Sequence, residues 1–388
     1  MKFSCKPPKA VEINRSRENA KKFGHTKTRY VKDISVKLPA DYPWKVFNSL
    51  ANDLSHCLSP EEMKFIKAVA RSRDLSKLKD FGATHNLQRS IMDGRSVRGS
   101  AAVYQMTSLL KKFEFPGGNP DRDENTFIKF FQGEAQCRHF NNVGVKTLLR
   151  GEDKKTRHIL HHVRRFISKV LGNKLPDIDF LTDRSRHGPG SSLDTIYSPS
   201  TYFKFAEWPY SCPKDAFGIA QYVIKSDQRW FSALKESYRV RNLLPYGATI
   251  SEHKFWTDVI KTVDHNAVGT VPKSFDIDRT IGIESTLGIY LQLGVDGFIR
   301  QRLKRWGVNL DDQSKNSELA RLGSLVTSYT NENFVTLDMA NASGTIARKC
   351  VEVSFPPEWY SYLDKLRAKY GQIAGCEDSF CYEMFSSM

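Results

Sequence analysis

The stretch 270–306 constrains the fold more than any other part of this sequence. Its first half, 270–284, begins and ends with strand-like residues and carries the cations Lys273 and Arg279 between them. A helix pattern follows from about Ser285 to Trp306, with apolar residues spaced so that they share one face. The stretch therefore predicts a pair of strands next to a core helix, in a chain that mixes both kinds of element.

The two cations of this stretch allow two interpretations. Held on a hairpin close to a core helix, Lys273 and Arg279 could grip a triphosphate, because charge-assisted contacts to phosphate are strong. The alternative is an exposed hairpin with ordinary surface charges. The pattern alone does not choose between them.

A second stretch, Phe334 to Gly344, predicts an apolar strand that ends on Asp338 and a small-residue turn that starts a helix reaching about Val353. A carboxylate at a strand end can hold a hard divalent cation. Phosphoryl transfer by two metals needs two or more such carboxylates, with the metals roughly 4 Å apart. The alternative is a helix N-cap aspartate, and from the residues alone the cap is favoured.

Length and charge narrow the class of protein. A chain of 388 residues has room for two or three domains or one large one, and 40% apolar residues can build a core. The net charge of +16 indicates an anionic partner. The seven scattered cysteines include no C-x-x-C pair, which favours free thiols in a reducing cytosol over a zinc site. No apolar run is long enough to span a bilayer.

Three further segments are basic. The arm 1–40 could hold a phosphate backbone or be a solvated tail, and both interpretations stay open. A helix over about 152–171 has an apolar stripe and a cationic face, and its His158 and His162 belong more naturally to a basic surface than to a metal site. The glycine-rich loop 184–192 could bring backbone amides near phosphate or simply be a turn.

These stretches together resemble a known family. Residues 270–284 resemble the nucleotide-gripping fingers motif of the RNA bacteriophage (levivirus) replicases, the catalytic beta subunit, and 336–343 resemble their first palm motif. The similarity is dense over 268–388, patchier over 130–267 and weak before that. Further matching segments are Gly133–Arg138 with Asn141, Gly188–Gly190, Leu291–Val295, Arg302-Leu303, Trp306-Gly307, Leu310–Gln313, Phe355–Trp359, Leu366-Arg367, Tyr382-Glu383 and Ser386–Met388.

The resemblance implies an α+β fold of the right-hand polymerase type. Residues 1–130 are then a basic, mostly helical N-terminal region. Residues 131–323 are the fingers and connecting elements, including the nucleotide-gripping motif at 270–284. Residues 324–388 are a partial palm, with the first catalytic motif and the start of the second.

The resemblance also implies roles for single residues. Asp338 matches the first catalytic, metal-binding carboxylate, with the Met339 backbone carbonyl nearby, and the cofactor would be two Mg²⁺ ions in the full-length enzyme. Lys273 and Arg279 match the cations that neutralise the incoming triphosphate. Ser387 matches a loop residue that senses the nascent base pair and the ribose.

Two positions of the first palm motif depart from the family pattern. Gly344 stands where the family usually has an aspartate that helps to read the ribose 2′ hydroxyl, and Ala340 replaces a usual serine. Ribose selection would then fall to Ser343 and Asn341.

The larger departure lies at the end of the sequence. The family continues after Ser-Ser-Met to a Gly-Asp-Asp hairpin that supplies further metal carboxylates, and no Gly-Asp-Asp occurs in these 388 residues. The pair Asp311-Asp312 matches an earlier element and does not replace it. We therefore expect a C-terminally truncated chain that lacks the thumb and the Gly-Asp-Asp hairpin and is inactive alone.

The resemblance implies an RNA-dependent RNA polymerase that replicates a phage genome in the cytoplasm of the infected bacterial host. Its partners would be RNA template and product, nucleoside triphosphates, and host translation elongation factors and a ribosomal protein as further subunits, with no membrane. The alternative is a non-enzymatic basic RNA-binding protein that uses the N-terminal arm and the helix around 157–169. A reverse transcriptase is a lesser option.

Overall fold

The computed structural model describes residues 39, 41–85, 94–113, 121–150, 154–195, 198–325, 334, 337, 339 and 341–385. They belong to two compact units. One, the larger unit, contains the described residues within 130–269 and 281–388; the other, the smaller unit, contains those within 23–129 and 270–280.

The smaller unit is built on helices. They are Tyr42–Asp53, Pro60–Ser72, Leu75–Thr84 and Val97–Leu109, with a 3₁₀ turn at Ser55–Cys57. Ser59 and Glu62 form a capping box at the start of the second helix, which ends at Arg73 in the left-handed conformation. The helices bury an apolar cluster that includes Phe47, Ile66 and Met106.

Most of the larger unit is also helical, with three short irregular turns. The remaining helices of the described residues are Arg122–His139, Val145–Arg150, Lys154–Leu171, Ile178–Thr182, Thr201–Ala206, Phe217–Ser226, Gln228–Arg241, Glu252–Val259, Thr286–Arg305, Ser314–Leu325, Arg348–Ser354 and Pro357–Leu366. A π-helical turn spans Phe140–Gly144, and 3₁₀ turns span Lys214–Ala216 and Ser343–Thr345.

The strands form two small sheets. Strand β1 (Tyr210–Pro213) pairs in parallel with β2 (Ile260–Val263). The second sheet has the order β4-β3-β5-β6, with β3 at His265–Pro272, β4 at Asp278–Ile283, β5 at Tyr370–Ile373 and β6 at Ser379–Cys381. Strand β3 is parallel to β5, and β5 is antiparallel to β6. This mixture of helices and strands agrees with the α+β class. The two expected strands are β3 and β4, but only Lys273 lies between them, since Arg279 is on β4.

The helix Thr286–Arg305 is central to the larger unit. Its Leu287, Leu291 and Val295 are buried in one apolar cluster with Trp359. The predicted apolar face of this helix extends too far, because Trp306 at its end is 49% exposed. None of the helices in the described residues combines the length and apolar character needed to cross a bilayer.

The region after the first palm motif differs from expectation. The predicted helix through Val353 begins only at Arg348, since Ala347 is extended with ψ 146° and pairs with Met384 in an antiparallel bridge. A partner far along the chain thus replaces the first helical turn. Of the strand predicted before Asp338, Phe334 and Leu337 have no regular secondary structure, and residues 335, 336 and 338 lie outside the described residues.

Candidate functional site

The segment 270–280, here called the anchored hairpin, is fixed to its unit through its acidic side chains. Lys79 Nζ lies 2.5 Å from Asp276 Oδ2. Arg122 Nε lies 2.8 Å from Asp278 Oδ1, and the backbone N–H of Asp278 donates to Thr126 Oγ1 at 2.8 Å. Two carboxylates and one backbone group therefore hold the hairpin on its inner side.

The turn between the strands is closed by its own residues. The backbone N–H of Ser274 donates to the carbonyl of Ile277 at 3.0 Å, and Ser274 Oγ donates to Asp276 Oδ1 at 2.8 Å. The backbone N–H of Phe275 donates to the carbonyl of Lys111 at 3.0 Å. These bonds fix the course of the turn directly after Lys273.

The cations of the anchored hairpin are on its outer side. Lys273 and Arg279 are exposed, whereas Asp278 and Thr280, the neighbours of Arg279, are buried. This alternation is the one a strand imposes, because successive side chains point to opposite faces. The hairpin therefore turns its acids inward and its two predicted phosphate-binding cations outward.

The acids of the hairpin respond to their surroundings in opposite directions. Burial works to raise the pKa of Asp276, but hydrogen bonds from Lys79 and Ser274 outweigh it and lower this pKa. Burial raises the pKa of Asp278, and the nearby Asp123 carboxyl adds to that rise against the lowering effect of Arg122. The anchoring ion pairs are thus partly desolvated contacts rather than solvated surface pairs.

In the larger unit, three segments that carry the family resemblance come together, and we call them the motif junction: 133–141, 341–349 and 382–385. The first contact is backbone against backbone. A side chain at Gly133 would lie 3.0 Å from the carbonyl oxygen of Gly344, and Cys137 Sγ donates to the same oxygen at 3.7 Å. The lack of a side chain at Gly133 therefore favours the close approach of the segment 341–349 to this helix.

Asn141 is the polar centre of the motif junction. It lies in the π-helical turn Phe140–Gly144 and is 7% exposed. Its Nδ2 donates to the backbone carbonyl of Glu383 at 2.8 Å and to Glu383 Oε2 at 2.9 Å. Its Oδ1 accepts the backbone N–H of Lys349 at 2.9 Å. One side chain thus links all three segments, at a π-turn of the kind often found at functional sites.

Glu134 and Arg138 complete the hold on Glu383. Glu134 Oε2 accepts the backbone N–H of Glu383 at 2.6 Å, and Arg138 Nε lies 3.3 Å from Glu383 Oε1. Burial raises the pKa of Glu134, and the nearby Glu383 carboxyl also raises it, although backbone N–H groups of Glu383 and Met384 work against the rise. These contacts fix the backbone at Glu383, in the stretch that resembles the opening of the family's second palm motif.

The predicted ribose-reading residues lie on the surface of the junction. Ser343 is exposed in its 3₁₀ turn. Asn341 is exposed and has a left-handed φ of 53°. A Cβ added to Gly344 would lie 2.6 Å from Asn341 Oδ1. The Asn341 side chain therefore occupies the space that a side chain at position 344 would need. Glycine at 344 and asparagine at 341 are therefore sterically linked.

The remaining predicted site residues are described incompletely. Asp338 and Ser387 lie outside the described residues, as do Ala340 and, apart from Pro39, the basic arm 1–40. Met339 is described and is 75% exposed.

A metal site is not complete within the described residues. There, no group of three or more His, Cys, Asp or Glu side chains is arranged to hold a metal ion. A two-ion centre needs several oxygen donors. The donors present in the described chain do not by themselves make up the centre.

The helix Lys154–Leu171 has the predicted basic surface. Its cations Arg157 and Arg165 are exposed, and so are the apolar Ile159 and Phe166. His158 Nε2 and His162 Nε2 lie 3.0 Å apart on the exposed face, as their spacing predicts.

The basic loop 184–192 is held in place by specific contacts, although its glycine-rich composition alone does not predict them. The buried Lys204 Nζ donates to the carbonyls of Gly188 at 2.6 Å and Gly190 at 2.5 Å. His187 packs against the rings of Phe205 and Tyr290. Burial, and to a lesser degree the Lys204 charge, lower the pKa of His187 to about 4. The loop lines a cavity of about 810 Å³ that also borders Phe385.

Sequence reasoning assigned no role to Glu134, Arg138, Asn141 or Glu383, although all four lie in segments that carry the family resemblance. The signal was available for Asn141 and Glu383 as matched positions, but only the fold shows that they bond to each other. For the buried network in which Asp194 Oδ2 accepts from the Ser211 backbone N–H at 2.6 Å and from Thr286 Oγ1 at 2.7 Å, no sequence signal existed.

Comparison with known proteins gives a consistent result. A family model described as RNA replicase, beta-chain, matches residues 50–388. The RNA-directed RNA polymerase beta chain of Escherichia phage MS2 is 43% identical over 346 residues, which is 89% of this chain and 55% of that protein.

Two further relatives agree. The RNA-directed RNA polymerase beta chain of Enterobacteria phage fr is 30% identical over 89% of this chain and 55% of its own length. The RNA-directed RNA polymerase subunit beta of Escherichia virus Qbeta is 28% identical over 74% of this chain and 43% of its own length. The chain therefore spans about half the length of the curated relatives it matches.

Proposed function

The chain belongs to the RNA replicase beta-chain family, and from that premise we propose that it forms part of an RNA-directed RNA polymerase that replicates the genome of an RNA phage. The relatives are named RNA-directed RNA polymerases. The observation within this chain that carries the proposal is the anchored hairpin, which presents Lys273 and Arg279 to solvent from a fixed backbone. Such preorganised cations suit the binding of a nucleoside triphosphate.

Within this proposal, the larger unit positions the reacting partners. The motif junction holds the residues directly before Ser386, so that Ser387 can meet the nascent base pair. Glu134 and Asn141 fix the Glu383 backbone there. Residues 131–323 are proposed as fingers and connecting elements, and 324–388 as part of a palm, in a right-hand fold.

We propose Asp338 as a catalytic, metal-binding carboxylate, with the Met339 carbonyl as a second oxygen donor. Two Mg²⁺ ions, when bound, would supply charge neutralisation at the α-phosphate and activation of the primer 3′ hydroxyl. Further carboxylates are needed to complete this centre, and the chain contains no Gly-Asp-Asp sequence to provide them. We therefore propose that these 388 residues alone do not catalyse polymerisation.

Ribose selection is assigned to Asn341 and Ser343. Both are exposed, and Asn341 Oδ1 occupies the space that an aspartate side chain at position 344 would need. An amide oxygen beside the first palm motif can accept a hydrogen bond from a ribose 2′ hydroxyl, which is the group that distinguishes RNA from DNA precursors.

The names of the relatives refer to a beta chain or subunit beta, which supports action within a multi-subunit replicase. We propose RNA template and product and nucleoside triphosphates as its substrates and products, in the cytoplasm of the infected bacterium. Host translation elongation factors and a ribosomal protein are the proposed further subunits, and no surface of the chain is assigned to them.

The alternative, a non-enzymatic RNA-binding protein, rests on the exposed cations of the helix Lys154–Leu171. The family match over 50–388 favours the polymerase. A basic RNA-binding surface is also compatible with a polymerase.

Triphosphate binding tests the role of the hairpin. Equilibrium dialysis of the 388-residue chain with radiolabelled GTP should show at least about tenfold weaker binding for the double variant Lys273→Gln/Arg279→Gln, because two charge-assisted phosphate contacts are lost. The matched control Lys273→Arg/Arg279→Lys keeps both charges and should bind nearly as wild type. Unchanged binding by the glutamine variant would contradict the proposal.

A further inference from the structure

The anchored hairpin carries as many acids as cations. Its cations are Lys273 and Arg279, and its acids are Asp276 and Asp278. The segment 270–280 is therefore neutral by itself, although an excess of positive charge favours the binding of a triphosphate. By charge alone the two acids oppose such a ligand, so their place beside the cations needs another explanation.

Each acid of the hairpin is paired with a cation that lies outside it. Asp276 pairs with Lys79 of the helix Leu75–Thr84. Asp278 pairs with Arg122, the first residue of the helix Arg122–His139. The segment 270–280 belongs to the smaller unit, although the chain on both sides of it belongs to the larger unit. The two ion pairs therefore join the hairpin to the unit formed by residues of the N-terminal region.

The Asp276 carboxylate links the turn of the hairpin to this unit. Its Oδ1 accepts the hydrogen bond of Ser274 Oγ within the turn, and its Oδ2 lies 2.5 Å from Lys79 Nζ. The Asp276 side chain is only 19% exposed. Both oxygens are thus used for contacts inside the protein, on the side of the turn away from solvent.

Further hydrogen bonds fasten the hairpin on either side of Lys273. Before it in the sequence, Thr270 Oγ1 donates to Asp123 Oδ1 at 3.0 Å. After it, the backbone N–H of Phe275 donates to the carbonyl of Lys111 at 3.0 Å. The backbone that carries this cation is therefore held at both ends.

Asp278 holds the backbone of the second cation, Arg279. Asp278 is 6% exposed, and its backbone N–H donates to Oγ1 of the buried Thr126. Its side chain pairs with Arg122 on the inner face of the strand, whereas the next residue, Arg279, points to the opposite face. The buried contacts of one residue thus set the position from which its neighbour reaches solvent.

We propose that Asp276 and Asp278 are positioning residues for triphosphate binding, and that the helices carrying Lys79 and Arg122 hold the nucleotide site in place. This inference rests on the proposed function of the anchored hairpin. The two acids touch no ligand and act through the backbone that carries the two cations. Holding flexible cations in a fixed arrangement lowers the cost of ordering them on binding. This gain outweighs the unfavourable charge of acids that are already paired.

The direction of the effect separates positioning from plain electrostatics. Lys79→Gln removes a cation and Asp276→Asn removes an acid, so charge alone predicts that the first variant weakens GTP binding and that the second strengthens it. Positioning predicts that both variants weaken it. Equilibrium dialysis of the 388-residue chain with radiolabelled GTP measures the binding. At about 0.15 M salt, where charges are screened beyond about 8 Å, each variant should bind GTP about threefold more weakly or worse.

The double variant Lys79→Gln/Asp276→Asn tests whether the two residues act as a pair. Since each single substitution already breaks the ion pair, the double variant should bind GTP within about twofold of the weaker single variant. Losses that multiply in the double variant would overturn the proposal. Unchanged or tighter GTP binding by Asp276→Asn would overturn it as well.

A control in the core of the smaller unit separates positioning from a general loss of stability. Ile66 is fully buried there, away from the hairpin in the sequence, and Ile66→Val deletes one methyl group from the core. This variant should melt at a lower temperature than wild type but bind GTP within about twofold of it. A loss of GTP binding as large as that of Asp276→Asn would show that binding follows overall stability, and would contradict the positioning role.

The hairpin test distinguishes failure of this inference from failure of the proposed function. Weak GTP binding by Lys273→Gln/Arg279→Gln together with normal binding by Asp276→Asn would overturn the positioning role alone. Normal GTP binding by Lys273→Gln/Arg279→Gln would overturn both, because the hairpin would then not be the triphosphate site.

Discussion

The anchored hairpin and the motif junction use polar side chains in opposite ways. In the hairpin, Asp276 and Asp278 hold the backbone while the cations Lys273 and Arg279 face solvent. In the junction, the polar groups face one another, and Asn141 has three hydrogen bonds inside the protein.

This difference separates binding from positioning. A group that faces solvent can be changed at little cost to folding, whereas a buried group bonded on several sides leaves unpaired partners behind when it is removed. We therefore expect variants of the hairpin cations to lose ligand affinity and variants of the junction to lose stability. The predictions below test that division, from the largest expected effect to the smallest.

Replacing Asn141 with Leu should have the largest effect. It removes two hydrogen bonds to Glu383 and one from the Lys349 backbone. Buried groups left without partners cost about 1–3 kcal/mol each, so we expect a loss of about 2–4 kcal/mol in the free energy of unfolding. Urea denaturation measures it, and Asn142→Leu at the exposed neighbouring position is the matched control. Equal stability of both variants would break the comparison.

Restoring the family aspartate in Gly344→Asp should destabilise by about 1 kcal/mol, because the new side chain must displace the exposed side chain of Asn341. Its Cβ would lie 2.6 Å from Asn341 Oδ1. Adding Asn341→Gly removes that side chain and suits the φ of 53°, so the double variant should recover much of the loss. Thermal unfolding of the wild type, the two single variants and the double variant gives the coupling free energy between positions 341 and 344. Strictly additive changes in stability would show that the two positions are not linked.

The pH dependence of stability should change in Glu134→Gln. Since the pKa of Glu134 is raised from 4.5, the native state binds more protons than the unfolded state just above that pH. This group therefore stabilises the fold less as pH rises through its folded pKa. The neutral variant lacks this dependence, so its stability relative to wild type should increase from below pH 4.5 toward neutrality. Parallel pH profiles of the two proteins would show that Glu134 is not desolvated.

The smallest effect on stability is expected for Lys273→Gln/Arg279→Gln. Both side chains are exposed, so the change in the free energy of unfolding should stay within about 0.5 kcal/mol. Asp278→Asn, which weakens the contact with Arg122, should cost more. If the cation variant unfolds as easily as the aspartate variant, the cations belong to the scaffold and the division between binding and positioning fails.

The periodicity of apolar residues predicted those helices and strands that depend only on residues close together in the sequence. The helix Lys154–Leu171 and the two strands beside Lys273 and Arg279 follow from the spacing of their own residues. The late start of the helix at Arg348 could not be predicted this way, because it depends on the pairing of Ala347 with Met384. The role of Asn141 likewise depends on Glu383, which lies 242 residues away in the sequence.

For the candidate site, too, local features could be predicted from the sequence, whereas contacts between side chains could not. The exposed position of Arg279 on β4, between the buried Asp278 and Thr280, agrees with an alternating strand. The steric link between Gly344 and Asn341 could not be read from residue types, since a glycine shows only that a side chain is missing.

The most direct test of the polymerase is template-directed synthesis. The chain would be fused after Met388 to the part of the phage MS2 relative that continues beyond the aligned region, and assayed for labelled nucleotide incorporation on a phage RNA template. We predict template-dependent RNA synthesis that Asp338→Asn abolishes without changing the melting temperature. Synthesis that persists in the Asp338→Asn fusion would contradict the assignment of Asp338 to the catalytic centre.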